Sequence, residues 1–263
     1  MCSGTLIAPD VVLTAGHCIE THPVEVIVGS VELAKPGGEV IKVKSATAYP
    51  SWQQAYDVGV LVLERPASVK PRAIASACSV KEHLKSGSDV RVVGFGLTTP
   101  SGTGDNTALH QAMLPVHDAT CTEDPGCQPA VAPGGEFTAG GMGVDSCFGD
   151  SGGPLYLSTA SGEALIGVVS RGEYAGGEPC GGGGIYVRAD AVAKWIEKTT
   201  GRTLARSTCD VPADGPGDAD IADGEGGGCS ATRGIVGGGA VLGLVVLALL
   251  AAPRRSGSTM SLD

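Results

Sequence analysis

Short apolar runs broken by turn residues carry the chain from its start to about residue 199. The runs at 24–28, 40–43, 58–63, 90–93, 164–170 and 184–187 are rich in β-branched residues and bounded by glycine, proline or charge. That pattern predicts strands. No repeat of solenoid period is present, and the strand spacing suits a sandwich or barrel. One helix stands out over Ala189–Thr200, with Val192, Trp195 and Ile196 on one side and Gly201 as its stop. Residues 210–228 hold almost no large apolar side chain and predict a disordered spacer. The last pattern, 235–252, is apolar and uncharged and runs into Pro253, Arg254 and Arg255. As a helix it would span about 27 Å, at the short end for crossing a bilayer.

Composition sharpens this picture. The 42 glycines and 16 prolines among 263 residues favour short strands and turns over long helices. The net charge of −10 is uneven: Asp210, Asp214, Asp218, Asp220, Asp223 and Glu225 lie in the spacer with no base among them. No basic patch suggests a nucleic-acid partner. Nine cysteines point to disulfides and an oxidising compartment. None sits in a C-x-x-C arrangement, so zinc is not expected. Export is implied, yet the stretch from Met1 to Ile7 has no basic region or cleavage site of a signal peptide.

Three strings carry candidate chemistry: Thr14-Ala15-Gly16-His17-Cys18, Asp57-Val58-Gly59-Val60-Leu61 and Gly149-Asp150-Ser151-Gly152-Gly153-Pro154. A serine hydroxyl is a poor nucleophile at neutral pH and needs an adjacent base. A histidine can take that proton and return it to a leaving amine. A buried aspartate fixes the histidine tautomer and stabilises the imidazolium. In the order His, Asp, Ser, the strings resemble the motifs of the trypsin/chymotrypsin family over residues 2 to about 199.

The resemblance implies an all-β fold over 2–201, with two six-stranded antiparallel barrels, a C-terminal helix and an active site in the cleft between barrels. It implies a serine endopeptidase with His17, Asp57 and Ser151 catalytic, the first two from the first barrel. The backbone N–H groups of Gly149 and Ser151 would form the oxyanion hole, where one donor is worth about 3 kcal/mol. No metal or organic cofactor is required. The substrates are proteins or peptides and the chain is expected to be a monomer. His22, His83, His110 and His117 have no such context and read as surface or packing residues.

Specificity follows from the same resemblance. Asp145, six residues before Ser151, would form the floor of the primary pocket and pair with a substrate Arg or Lys. Gly172 and Gly184 match the wall glycines, and Ser170 is expected with them among the substrate-binding residues. Arg171 stands where the family usually has an aromatic, and would disfavour basic residues further up the substrate. The pairs Cys2–Cys18 and Cys147–Cys180 resemble family bridges. A local Cys121–Cys127 bridge is plausible, because the family's partner for Cys121 would fall near Thr138, where no cysteine stands. Of Cys78, Cys209 and Cys229, the first two are paired and Cys229 is assigned to the tail.

Residues 229–255 resemble the C-terminal sorting tail of myxobacterial surface proteins. There Cys229 would be processed and lipidated, the apolar run would cross the membrane and the arginines would stay inside. The protease would be anchored outside the cell, or secreted after processing. The string Arg233-Gly234-Ile235-Val236-Gly237-Gly238 is similar to a zymogen activation site, but here it opens the tail and is expected to be coincidental. The family domain normally begins before Cys2, with a first strand and a free amine that pairs with the residue matching Asp150. The first barrel is therefore expected to be incomplete. Two explanations stay open: a true start upstream, or a chain as written with a zymogen-like pocket. The alternative function is a non-catalytic surface binding protein of the same fold.

Overall fold

The structure, a computed structural model, describes residues 1–33, 37–173 and 177–209, with the backbone of Leu247–Ala251. The first part of the chain forms β1 (Cys2–Ala8), β2 (Val11–Thr14), the helical turn α1 (Gly16–Ile19), β3 (Pro23–Val28), β4 (Glu39–Ala48) and β5 (Gly59–Leu63). Every residue of β1 and β2 is buried, because both faces of these strands are covered. Leu6 and Val12 point into the first barrel with Val26, Ile41 and Leu61. Ile7, Val11 and Leu13 face the other way, into a core shared with the second barrel. Each such aliphatic side chain contributes about 1.5–3 kcal/mol on burial.

Helix α2 (Ala77–His83) leads into β6 (Asp89–Gly94), β7 (His110–Asp118), β8 (Glu136–Ala139), β9 (Pro154–Thr159), β10 (Gly162–Gly172) and β11 (Gly184–Arg188). These six strands close in the order β10-β11-β8-β7-β6-β9. Helix α3 (Ala189–Thr200) follows, with Val192 and Ile196 buried. Its third apolar residue, Trp195, packs against Tyr49 with ring centroids 5.1 Å apart. Gly201 ends the helix at φ +67°, its N–H bonded to the Glu197 carbonyl. The shared core joins Val60 of the first barrel to Val93, Phe95 and Tyr156 of the second and to α3. The two barrels pack on one apolar seam, and the C-terminal end of β2 meets the start of β5 and the turn before β9 there.

The first barrel takes its sixth strand from the far end of the chain. Leu247–Ala251 form a strand, β12, inserted between β1 and β3, so the barrel closes as β1-β12-β3-β4-β5-β2. Its partners are Cys2↔Leu249, Ser3↔Ala248 and Gly4↔Leu247 on one side, and Ile27↔Ala248, Val26↔Leu249 and Glu25↔Leu250 on the other. Over these five residues the chain is a strand where a membrane helix was expected across 235–252; the rest of that run lies outside the described residues. An apolar backbone outside water must satisfy its N–H and C=O groups internally, in a helix or in a ladder, and the facing edges of β1 and β3 supply the ladder. No helix among the described residues is long and apolar enough to cross a membrane. The spacer 210–228, Cys229 and the string at 233–238 lie outside the described residues. Among the described residues, disulfides join Cys2 to Cys18, Cys78 to Cys209, Cys121 to Cys127 and Cys147 to Cys180.

Candidate active site

Strands β2 and β5 pair with Thr14 opposite Gly59, which brings the segments beyond their ends together. His17 in α1 and Asp57 just before β5 meet there. The His17 N–H donates to Asp57 Oδ1 at 2.9 Å, and His17 Nδ1 lies 2.8 Å from Oδ2. Ser170 of β10 reaches across from the second barrel and donates its hydroxyl to the same Oδ2 at 2.8 Å. Asp57 is only 8% exposed. Burial opposes its charge, but the bonds from His17 and Ser170 outweigh burial and hold the carboxyl below its ordinary value. An ionised carboxylate only accepts, so Nδ1 carries the ring proton and Nε2 of the neutral ring is an acceptor, able to take a proton.

Ser151 sits on a turn tied down by β1. Ser3 donates its N–H to the Ser151 carbonyl at 2.8 Å and its hydroxyl to the Gly149 carbonyl at 2.8 Å. Thr14 in turn donates its hydroxyl to the Ser3 carbonyl at 2.8 Å. The turn needs glycine: Gly149 has φ +108° and Gly152 φ +80°, a region where other residues are strained. A Cβ on Gly152 would also drive into the Thr14 hydroxyl and the Ser3 carbonyl. The Ser151 carbonyl lies 3.6 Å from Cys18 Sγ. Cys18 is disulfide-bonded and has no proton to give, so this is packing, and it seats the serine turn against the helical turn that carries His17. Among the described residues the N–H groups of Gly149 and Ser151 have no protein acceptor, and the Ser151 hydroxyl has no hydrogen-bond partner. The serine turn and the His17–Asp57 pair therefore lie on adjoining segments, Cys18 being the chain neighbour of His17.

Asp150 points away from the cleft. Its carboxylate accepts from Gly96 N–H at 2.8 Å and Cys147 N–H at 2.9 Å. Burial pushes its pKa up despite those bonds, and no ion pair reaches it among the described residues. It borders a cavity of about 300 Å³ lined also by Leu97, His110, Gly143 and Asp145. Asp145 accepts from Gly181 N–H at 2.7 Å and Gly183 N–H at 2.9 Å, and burial raises its pKa too. Gly172 and Gly184 face each other across β10 and β11 and do not border that cavity.

Residues 1–196 match the model of the family described as Trypsin. The chain belongs to the trypsin family. It is 34% identical to a trypsin of Saccharopolyspora erythraea over 72% of this chain and 82% of the relative. It is 31% identical to trypsin 5G1 of Aedes aegypti over 76% of this chain and 75% of that one. It is also 35% identical to glucanase inhibitor protein 1 of Phytophthora sojae, over 74% and 76% of the two chains.

Within this trypsin-family site, sequence reading passed over Ser3 and Glu136. Glu136 is 1% exposed and forms a two-pronged ion pair with Arg171, at 2.7 and 2.9 Å. The charge of Arg171, expected to face the substrate, is thus compensated from below. No local signal marks either residue, since each acts on a partner far along the chain. Among the described residues one cluster has metal-ligand types, Cys2, His17 and Cys18, and it cannot serve as a thiolate site because its two sulfurs are bonded to each other. His110 borders the cavity, and His117 Nε2 contacts the Gly140 carbonyl.

Proposed function

We propose that the chain is a secreted serine endopeptidase cutting after Arg or Lys through an acyl-enzyme on Ser151. The observation that carries this reading is the buried, ionised Asp57 bonded twice to His17, which leaves Nε2 as the base beside the serine turn. His17 Nε2 takes the Ser151 proton as Oγ bonds to the scissile carbonyl carbon. The carbonyl oxygen gathers negative charge and meets the free N–H groups of Gly149 and Ser151. The C–N bond then breaks, and the imidazolium gives its proton to the leaving amine. Water attacks the acyl carbon with His17 again as base, releasing the acid and the serine. Asp145 supports the basic preference: its half-buried carboxylate has no ion-pair partner among the described residues, and a substrate guanidinium or ammonium would supply one.

The trypsin-family disulfides fit work outside the cell. A second reading, a non-catalytic binding protein of the same fold, is favoured by Asp150 standing without an ion-pair partner among the described residues and by the similarity to the Phytophthora inhibitor protein. Covalent labelling with a serine-directed fluorophosphonate separates the two. Labelling that disappears in Ser151→Ala, with release of an arylamide after Arg and Lys but not after Leu, supports the endopeptidase. A folded, disulfide-bonded chain that takes no label decides for the binder.

A further inference from the structure

Beside Asp57 lies an ion pair between the buried Glu136 and the partly exposed Arg171, which the chemistry above leaves without a task. We propose that Arg171 is a positioning residue for Asp57. Its guanidinium makes the Ser170 hydroxyl a donor to the carboxylate alone, while Glu136 holds the guanidinium in register. The inference rests on the endopeptidase reading for its consequence, but not for its geometry.

The local backbone makes the arrangement available. Adjacent strand residues normally face opposite sides of a sheet. The pairing of β10 with β11 instead skips a residue, with Val169 opposite Tyr186 and Arg171 opposite Ile185. Ser170 is the extra residue of that bulge, a device that re-aims side chains, and both Ser170 and Arg171 reach the same polar cluster. Ser170 Oγ donates to Asp57 Oδ2 at 2.8 Å. Arg171 Nη1 lies 3.2 Å from the same Oγ.

Donor and acceptor counts settle the direction. A guanidinium has no acceptor, and a hydroxyl has one proton. Ser170 Oγ must therefore accept from Arg171, and its single proton is committed to Asp57. The guanidinium is itself pinned: Nη1 and Nη2 grip the two Glu136 oxygens, and Nη2 also donates to the Gly126 carbonyl at 2.7 Å. Glu136 Oε2 accepts from Gln128 N–H at 2.8 Å as well. A fork with its other prongs occupied cannot rotate to serve as an acceptor's partner elsewhere. The chain Glu136–Arg171–Ser170–Asp57–His17 thus runs from a fully buried acid of the second barrel to the base of the first.

The full chain tests this with two variants, Arg171→Met and Arg171→Met with Glu136→Gln. The single change strands a buried carboxylate and lowers the thermal midpoint. The double change removes that charge while keeping an oxygen for Gln128. The expected result is that the double variant regains the thermal midpoint. It should still hold kcat about 3- to 10-fold below the parent, the loss suited to one weakened bond to a charged acceptor, with KM for a small arginine ester unchanged. The NMR resonance of the His17 Nδ1 proton should move downfield as Asp57 leans more on histidine. A double variant with the parent's kcat and the parent's resonance would overturn the inference and leave the pair a packing element. If the parent neither takes the serine label nor turns over substrate, it is the endopeptidase reading that has failed. The Nδ1 resonance then still decides the role of Arg171.

Discussion

Replacing Ser3 by alanine separates the strength of the serine turn from its chemistry. The side chain is fully buried and its hydroxyl makes one bond, 2.8 Å to the Gly149 carbonyl. The N–H bond from residue 3 to the Ser151 carbonyl survives the change. A lost hydrogen bond costs about 0.5–1.5 kcal/mol, and about 1–3 kcal/mol when its acceptor stays dry. Gly149 is half-buried, so water can reach its carbonyl and the lower end applies, about 1 kcal/mol. For a domain of about 200 residues that lowers the melting temperature by about 2–4 °C. If the same restraint holds the Gly149 and Ser151 N–H groups in place, a similar loss in the transition state slows fluorophosphonate labelling about 5-fold. Differential scanning calorimetry and the second-order labelling rate are the measurements. A melting shift with an unchanged labelling rate would refute the idea that β1 braces the turn for catalysis. No change in either would refute the bond.

Acid stability should depend on Asp118, which is 8% exposed. Burial opposes its charge, but N–H groups of Glu123, Thr120 and Thr122 outweigh it and lower the pKa to about 2. Because the folded value lies below the unfolded one, the stabilisation is complete above pH about 4 and is lost as pH falls towards 2. It amounts to about 2 kcal/mol, and urea unfolding of Asp118→Ala at pH 6 and pH 2.5 should show that loss already present at the higher pH. The closing strand makes a separate prediction. Glu25 and Leu250 are direct antiparallel partners, so Glu25→Cys with Leu250→Cys should form a disulfide within one chain, detectable by peptide mapping. Failure to cross-link in a folded chain would rule out β12 as the sixth strand. Processing at Cys229 would sever β12 from the barrel that it closes, so the same map on native protein shows which fate the tail takes.

Much of the site was legible because its chemistry is local. The strings around His17, Asp57 and Ser151 place each candidate residue beside the glycines and turns its own backbone needs, and those requirements are met within a few positions. The strand runs and the limits of α3 were legible for the same reason, since periodicity is a property of neighbours. What brings the strings together is not local. Ser3 binds Gly149 from 146 positions away, and Ser170 binds Asp57 from 113. Glu136 meets Arg171 from 35. A single polar residue that bonds a distant partner interrupts no pattern and leaves no periodic trace. The conformation of Leu247–Ala251 could not be read from those residues alone, because uniform hydrophobicity fits a helix in lipid and a strand in a barrel equally well. The open edges of β1 and β3 decided it: backbone N–H and C=O groups find partners only where the rest of the fold presents them, and that is settled in three dimensions.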